Sequence, residues 1–148
     1  LEPKAREANV VMTQETDAEV LCMGDADQLR QVLVNLGMNG IDAMPRGGAL
    51  GFRISRADGT ATRVSVTDSG TGIGDEHREQ IFSAFFTTKS EGTGLGLAIV
   101  QDIIAAHGGT ISFTSRENEG TTFEISLPDF APASTPLAGD IKSERMAS

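Results

Sequence analysis

Three stretches of the chain carry residue types whose spacing suits chemistry on a phosphorylated ligand. The first is EGTGLGLAIV (91 to 100), with glycines at alternate positions, Gly92, Gly94 and Gly96. A glycine-rich loop running into an apolar helix can lay backbone N–H groups against phosphate, at a helix end that favours anions. A dinucleotide fingerprint is excluded, because its sixth position is Leu97 here and the preceding FFTTKSE does not read as a buried strand. A Walker loop is excluded too, since none of the three lysines, Lys4, Lys89 and Lys142, follows a glycine. A protein-kinase loop would travel with HRD and DFG, and the nearest runs, HRE at His77 and DFA at Asp129, are wrong in order and spacing. Lys89 stands just before the glycines in a stretch without helical or strand period. Its ammonium can meet phosphate oxygens, or it is an ordinary surface lysine beside a loop.

The second stretch is DSGTGIG (68 to 74). Asp68 closes a run that alternates apolar and polar residues, which puts it at the lip of a core. Gly70, Gly72 and Gly74 strip side chains from that spot, so a flat ring could approach backbone while the carboxylate accepts from an amino group. A tight turn rich in small residues would look the same. The third stretch is the helix DADQLRQVLVNLGMNGIDAM (25 to 44). At roughly 100° per residue, Leu29, Val32, Leu33, Leu36, Ala43 and Met44 share one side. Gln28, Gln31, Asn35, Asn39 and Asp42 share another, and Val34 and Ile41 a third, which implies burial by more than one wall. The amide stripe is either a solvated face or a row of ligands. Asn is a poor helix former, and Gly37 and Gly40 weaken the helix by roughly 1 kcal/mol each relative to Ala, so helix quality is given up where oxygen-bearing groups align. An Asn carbonyl oxygen is a suitable hard ligand for Mg²⁺.

The elements that must hold these residues follow from periodicity and breakers. VVMTQE (10 to 15) and EVLCM (19 to 23) read as strands. The helix at 25 to 44 is capped by Asp25, with Gln28 completing a capping box, and PRGG stops it. ALGFRIS (49 to 55) and TRVSVTD (62 to 68) alternate as antiparallel strands around Asp58-Gly59. A short helix around 75 to 82 and a helix at 95 to 107 follow, the latter ended by Gly108-Gly109. TISFTS and TTFEISL flank RENEG as a closing hairpin. After Pro128 the sequence is rich in Ala, Ser and Pro and reads as a disordered tail or linker. The expected fold class is α+β: a two-layer α/β sandwich with a mixed, mostly antiparallel sheet and helices on one face. His77 reads as an exposed helical side chain and His107 as a helix C-terminal residue near the dipole.

The chain has 148 residues and a net charge of −9. The length suits one domain with a tail, and the charge argues against nucleic-acid binding. No apolar run reaches the ~20 residues of a membrane span, so direct membrane contact is not expected. A single cysteine, Cys22, rules out an internal disulfide and fits a reducing compartment, so a cytoplasmic location is expected. LEPKAREANV looks like a helix entered partway. Residues 1 to 9 are therefore expected to end a linker from a preceding domain, 10 to 128 to form the ligand-binding domain, and 129 to 148 the tail.

Taken together and in order, these stretches resemble the ATP-binding domain of sensor histidine kinases. DQLRQVLVNLGMNGIDAM resembles the N box, DSGTGI the G1 box, IFSAFFTTK the F box and GTGLGLAIV the G2 box, with FFTTKSEGTGLGLAIVQDIIAAHGG most similar to the nitrogen-regulation and oxygen-sensing type. The resemblance covers about residues 10 to 128 and implies the Bergerat fold shared with gyrase B, Hsp90 and MutL, with ATP and Mg²⁺ as ligands. It implies Asn39 as Mg²⁺ ligand, with Asn35 near the phosphates. Asp68 would face the adenine amino group, with Thr121 on a shared water. Gly70, Gly72 and Ile73 would line the adenine pocket. Residues from about Ser83 to Gly92 would form a mobile lid, Lys89 would reach phosphate, and Gly94, Leu95, Gly96 and Leu97 would wrap the triphosphate.

The departures also carry information. Many members have Lys-Tyr or Arg-Tyr shortly after the Mg²⁺ Asn, where this chain has Asp42 and Ala43, which would leave Lys89 as the main cationic contact. Gly40 replaces a commoner Ala. No histidine has the context of the phospho-acceptor. The resemblance implies that this histidine lies on a separate dimerisation domain of a full-length homodimer, and that a response regulator receiver domain is the downstream partner; it allows a membrane anchor elsewhere in the full-length protein. The fragment itself would be monomeric. Position 35 separates two activities: ATPases of this fold carry Glu there, and Asn cannot take a proton at neutral pH. Two rival readings share the motifs, an anti-sigma-factor type serine kinase and a nucleotide-sensing module without transferase activity.

Overall fold

The computed structural model describes residues 1–17, 24–57, 61–87 and 94–128. In order they form α1 (Glu2–Glu7), β1 (Val10–Thr16), α2 (Ala26–Asp42), β2 (Gly48–Ala57), β3 (Ala61–Asp68), α3 (Gly96–Ala106), β4 (Thr110–Arg116) and β5 (Gly120–Pro128). The strands make one sheet in the order β1-β2-β3-β5-β4. β1 runs parallel to β2, and the other neighbours are antiparallel. The expected mixed α+β sandwich is what the chain adopts. The strand read at 19 to 23, the turn at Asp58-Gly59, Lys89, Gly92 and the tail from residue 129 lie outside the described residues.

The period-2 pattern of the strands explains the core. On β3, Thr62, Val64 and Val66 point inward; on β5, Phe123, Ile125 and Leu127 do the same, and Leu50 of β2 is fully buried. α2 covers this face with Val32, Leu36 and Ile41, and α3 with Val100, Ile103 and Ile104. Burying each such aliphatic side chain contributes about 1.5–3 kcal/mol. α1 joins the same core through Ala5, with Leu1 and Ala8 packed against it. Val34 does not share in the burial expected of it: it is 39% exposed, while Ile41 on the same side is 2% exposed, so that side of α2 is buried only toward its C-terminal end.

Two local expectations change at the helix ends. Asp25 caps α2 as read, its Oδ1 accepting from Asp27 N at 2.9 Å and Gln28 N at 3.1 Å. The other half of the capping box is not made by Gln28, because Asp25 N–H donates instead to Nε2 of His107 at 3.0 Å. His107 Nδ1 lies 2.7 Å from the carbonyl oxygen of Ile103. A carbonyl only accepts and a backbone N–H only donates, so the ring is the Nδ1–H tautomer with Nε2 as acceptor. One side chain thus joins the start of α2 to the end of α3. The helix expected at 75 to 82 shrinks to a 3₁₀ turn at Asp75–His77, followed by further turns.

Candidate functional site

The inward row of β3 ends in a carboxylate. Asp68 is 7% exposed and stands opposite Leu50 on one side and Thr121 on the other. Thr121 in turn faces Ser115 of β4. One rung of the sheet therefore runs Leu50, Asp68, Thr121, Ser115, apolar at one end and polar beyond it. Asp68 Oδ1 accepts from Gly70 N–H at 2.8 Å. Burial pushes the Asp68 carboxyl above its ordinary 3.8, against the opposing pull of the Gly70 and Thr121 backbone N–H groups.

Ser115 was not legible as a site residue, and it organises the loop after β3. Its hydroxyl donates to Gly120 O at 3.1 Å and accepts from Ile73 N–H at 2.8 Å. With that hydrogen spent, Thr121 must donate in the 2.8 Å Ser115–Thr121 pair, which leaves Thr121 Oγ1 as an acceptor. Gly72 takes φ +75°, and a Cβ there would collide with the carbonyl oxygen of Arg116. The glycine loop is thus pressed onto the β4–β5 turn, with Ile73 presented beside Asp68.

A cleft of about 780 Å³ opens over this rung. Asp68, Thr121, Gly72 and Ile73 line one end, and Asn35, Asn39 and Asp42 of α2 line it from the helix layer. The amide stripe is therefore split. Gln28 and Gln31 face solvent, while Asn35 and Asn39 are half-buried against the cleft. Gly40 brings α2 close to this floor: a Cβ would stand 2.8 Å from Leu50 Cδ1 and 3.3 Å from Asp68 Cβ. Beyond loosening a helix, Gly40 lets α2 sit low beside the carboxylate.

Gly94, Gly96 and Leu97 line the cleft as well. α3 begins at Gly96 without a side-chain cap, so its first N–H groups are not capped from its own N-terminal side chain. Gly94 has φ +74° and accepts through its carbonyl from Phe85 N–H at 2.8 Å, holding the segment against the Phe-rich turn. Gly70 does not reach the lining. A Cβ on it would lie 2.5 Å from Ala43 O, so its role is to let the loop pack against the end of α2. Leu95 also stays out of the lining, as the residue preceding α3.

Two lining residues lie outside the site that the sequence indicates. His77 is not a free helical side chain: it lines the cleft, packs its ring at a tilt against Phe86 at 5.4 Å between ring centroids, and buries its Nδ1 without a partner among the described residues. Lys4 of α1 also lines the cleft, with its Nζ 2.9 Å from Asp42 Oδ1. Nothing in the spacing of α1 signals that position.

The family model described as histidine kinase-, DNA gyrase B- and HSP90-like ATPase matches residues 24–131. The chain belongs to this family. It is 48% identical over 104 residues to sensor histidine kinase ZraS of Escherichia coli K12, covering 70% of this chain and 22% of that protein. It thus spans about a fifth of the length of such relatives. Among solved structures it is similar to the nucleotide-free catalytic domain of histidine kinase ThkA, with TM-score 0.76 and 43% identity over 86% of this chain and 84% of that one. ThkA in complex with response regulator protein TrrA matches with TM-score 0.73 and 38% identity, covering 90% of this chain and 38% of that one. Full-length ShkA in complex with AMPPNP matches with TM-score 0.76 and 31% identity, covering 91% and 28%. The five-stranded mixed sheet under helices described above is thus the fold shared with these histidine kinase catalytic domains.

Proposed function

We propose that the cleft binds Mg·ATP and that the domain delivers the γ-phosphate to a histidine on a dimerisation domain of a sensor histidine kinase. The observation that carries this reading is the arrangement of one cleft: a buried carboxylate, two helix amides and a helix start without a side-chain cap all line it. With Oδ1 held by Gly70, Asp68 Oδ2 is the atom that would accept from the adenine 6-amino group. Thr121 Oγ1, an acceptor because its hydrogen serves Ser115, would accept from a water beside it. Ile73 and Gly72 would cover the ring edge. The first N–H groups of α3 would face the phosphates, with Asn35 close by.

The residues fit a magnesium ion brought in with the nucleotide. Among the described residues, no three His, Cys, Asp or Glu side chains group into a metal cage, and Mg²⁺ is commonly held by few protein oxygens plus waters and phosphates. The Asn39 carbonyl oxygen would hold it, and the ion would offset phosphate charge during transfer. Asn35 offers no base for water, which favours transfer to an external nucleophile over hydrolysis. A response regulator as the downstream partner rests on the ThkA–TrrA complex. Among the described residues, no helix is long and apolar enough to cross a membrane, and a cytoplasmic setting for this domain is part of the proposal.

Calorimetry on Asn39→Ala tests the reading. The variant should melt as the parent does and lose the Mg²⁺-dependent part of ATP affinity. Unchanged Mg·ATP affinity in the folded variant would remove Asn39 from the site.

A further inference from the structure

We propose that Lys4, on α1, is a polyphosphate-contacting residue of the nucleotide cleft, held ready by Asp42. The inference rests on the reading of the cleft as an ATP site. Among the described residues that line the cleft, Lys4 is the one lysine or arginine, while Asp42 and Asp68 are carboxylates. A ligand as anionic as a nucleoside triphosphate needs cations near its phosphates. Asp68 lies on the sheet floor, and the Lys4–Asp42 pair lies on the helix side.

Position follows from α2. Asp42 is three residues beyond Asn39, so the two side chains neighbour each other on one face. Lys4 Nζ, 2.9 Å from Asp42 Oδ1, is therefore close to the group proposed to hold the phosphate-bound metal ion. α1 is not a loose arm. Ala5, next to Lys4, is 3% exposed within the core, and Leu1 packs close enough that a Cβ on Gly37 would meet Leu1 Cδ1 at 2.8 Å. This anchoring presents Lys4 to the cleft while its side chain as a whole stays 41% exposed. An ammonium has three donors on a flexible stem. It can keep Asp42 with one and meet phosphate oxygens with another, so ligand binding does not require the pair to break.

Calorimetry on the 148-residue chain with Mg·ATP, Mg·ADP and adenosine separates this role from its alternatives. Lys4→Met should weaken Mg·ATP binding about tenfold, the size of one charge-assisted contact. It should weaken Mg·ADP less and leave adenosine unchanged. Lys4→Gln is a second neutral variant should Met disturb α1, and thermal melts check the fold of each. Lys4→Arg, which keeps the charge, should retain most of the affinity. In an Asp42→Asn background, Lys4→Met should still cost about tenfold. If it costs nothing there, Lys4 only screens Asp42 and the proposal falls. Folded Lys4→Met and Lys4→Gln chains that bind Mg·ATP like the parent would also overturn it, leaving the ATP reading intact. A parent chain that binds no Mg·ATP would overturn both.

Discussion

Asp68 occupies the place where an apolar residue would continue the inward row of Thr62, Val64 and Val66, and its raised pKa reflects the desolvation this entails. A carboxyl whose folded-state pKa lies above its unfolded value loses stability as pH rises between the two. The penalty is absent below the ordinary 3.8 and complete above the folded-state pKa. Asp68→Asn keeps an oxygen for Gly70 N–H and removes the charge. The variant should therefore melt higher than the parent at pH 7 without nucleotide, and the gap should close as pH falls below 4. It should also bind ATP about one to two orders of magnitude more weakly, since a hydrogen bond to a charged group is worth roughly 1.5–3 kcal/mol, and should discriminate less against GTP. Paired melting curves across pH and calorimetry check both halves. A variant less stable at pH 7 would mean that burial is not what dominates at this site. The carboxylate was legible in sequence because it ended an alternating strand next to glycines. Lys4 and Ser115 were not, because their partners Asp42 and Ile73 are set by how α1 docks and how β4 registers against β5, neither of which periodicity encodes.

At the scale of elements, the loop leading into α3 separates glycines needed for the fold from one left open to a ligand. Gly94 has φ +74°, and a Cβ there would run into the backbone of Phe85. Gly94→Ala should destabilise the chain by more than the about 1–2 kcal/mol that a left-handed conformation with a side chain costs, because the Phe85 backbone must also move. Gly96, by contrast, has nothing within 4 Å of its Cβ position and lines the cleft. Gly96→Leu should leave the melting temperature close to that of the parent and still abolish most nucleotide affinity. A matched pair of thermal melts and titrations distinguishes them; equal destabilisation by both substitutions would refute the division. His107 is the opposite case, distant from the cleft lining and structural. His107→Ala removes the acceptor for Asp25 N–H and should cost about 1–3 kcal/mol with Mg·ATP affinity unchanged, as read by denaturant unfolding and calorimetry. The strands and both long helices were legible because their periods are regular. The segment after the G1 glycines was not: its residues 75 to 82 look helical in composition, yet only a 3₁₀ turn forms before the chain drops Ile81 into the core.

For the whole molecule, the decisive matter is what a bound nucleotide could react with. Hydrolysis needs a base for water, and the two carboxylates lining the cleft among the described residues have other work in this reading: Asp68 faces the adenine edge and Asp42 pairs with Lys4. Asn35 supplies none, so phosphate release by the 148-residue chain should be slow. Neither histidine is a good acceptor. His107 spends both nitrogens on backbone partners. His77 lines the cleft, but its Nδ1 is buried and its Nε2 lies 3.6 Å from Glu76 Oε1. The chain alone should therefore bind γ-labelled ATP without becoming labelled. A histidine-bearing dimerisation domain of a sensor histidine kinase supplied in trans should take up label slowly, because association without a covalent link forgoes the effective concentration, often millimolar, of a tethered pair. The same mixture with Asn39→Ala should show less transfer. Label on the chain alone, lost in acid but kept in base and abolished by His77→Gln, would make His77 an acceptor in its own cleft. Rapid phosphate release with no acceptor present would instead make the cleft an ATPase site and overturn the transfer reading.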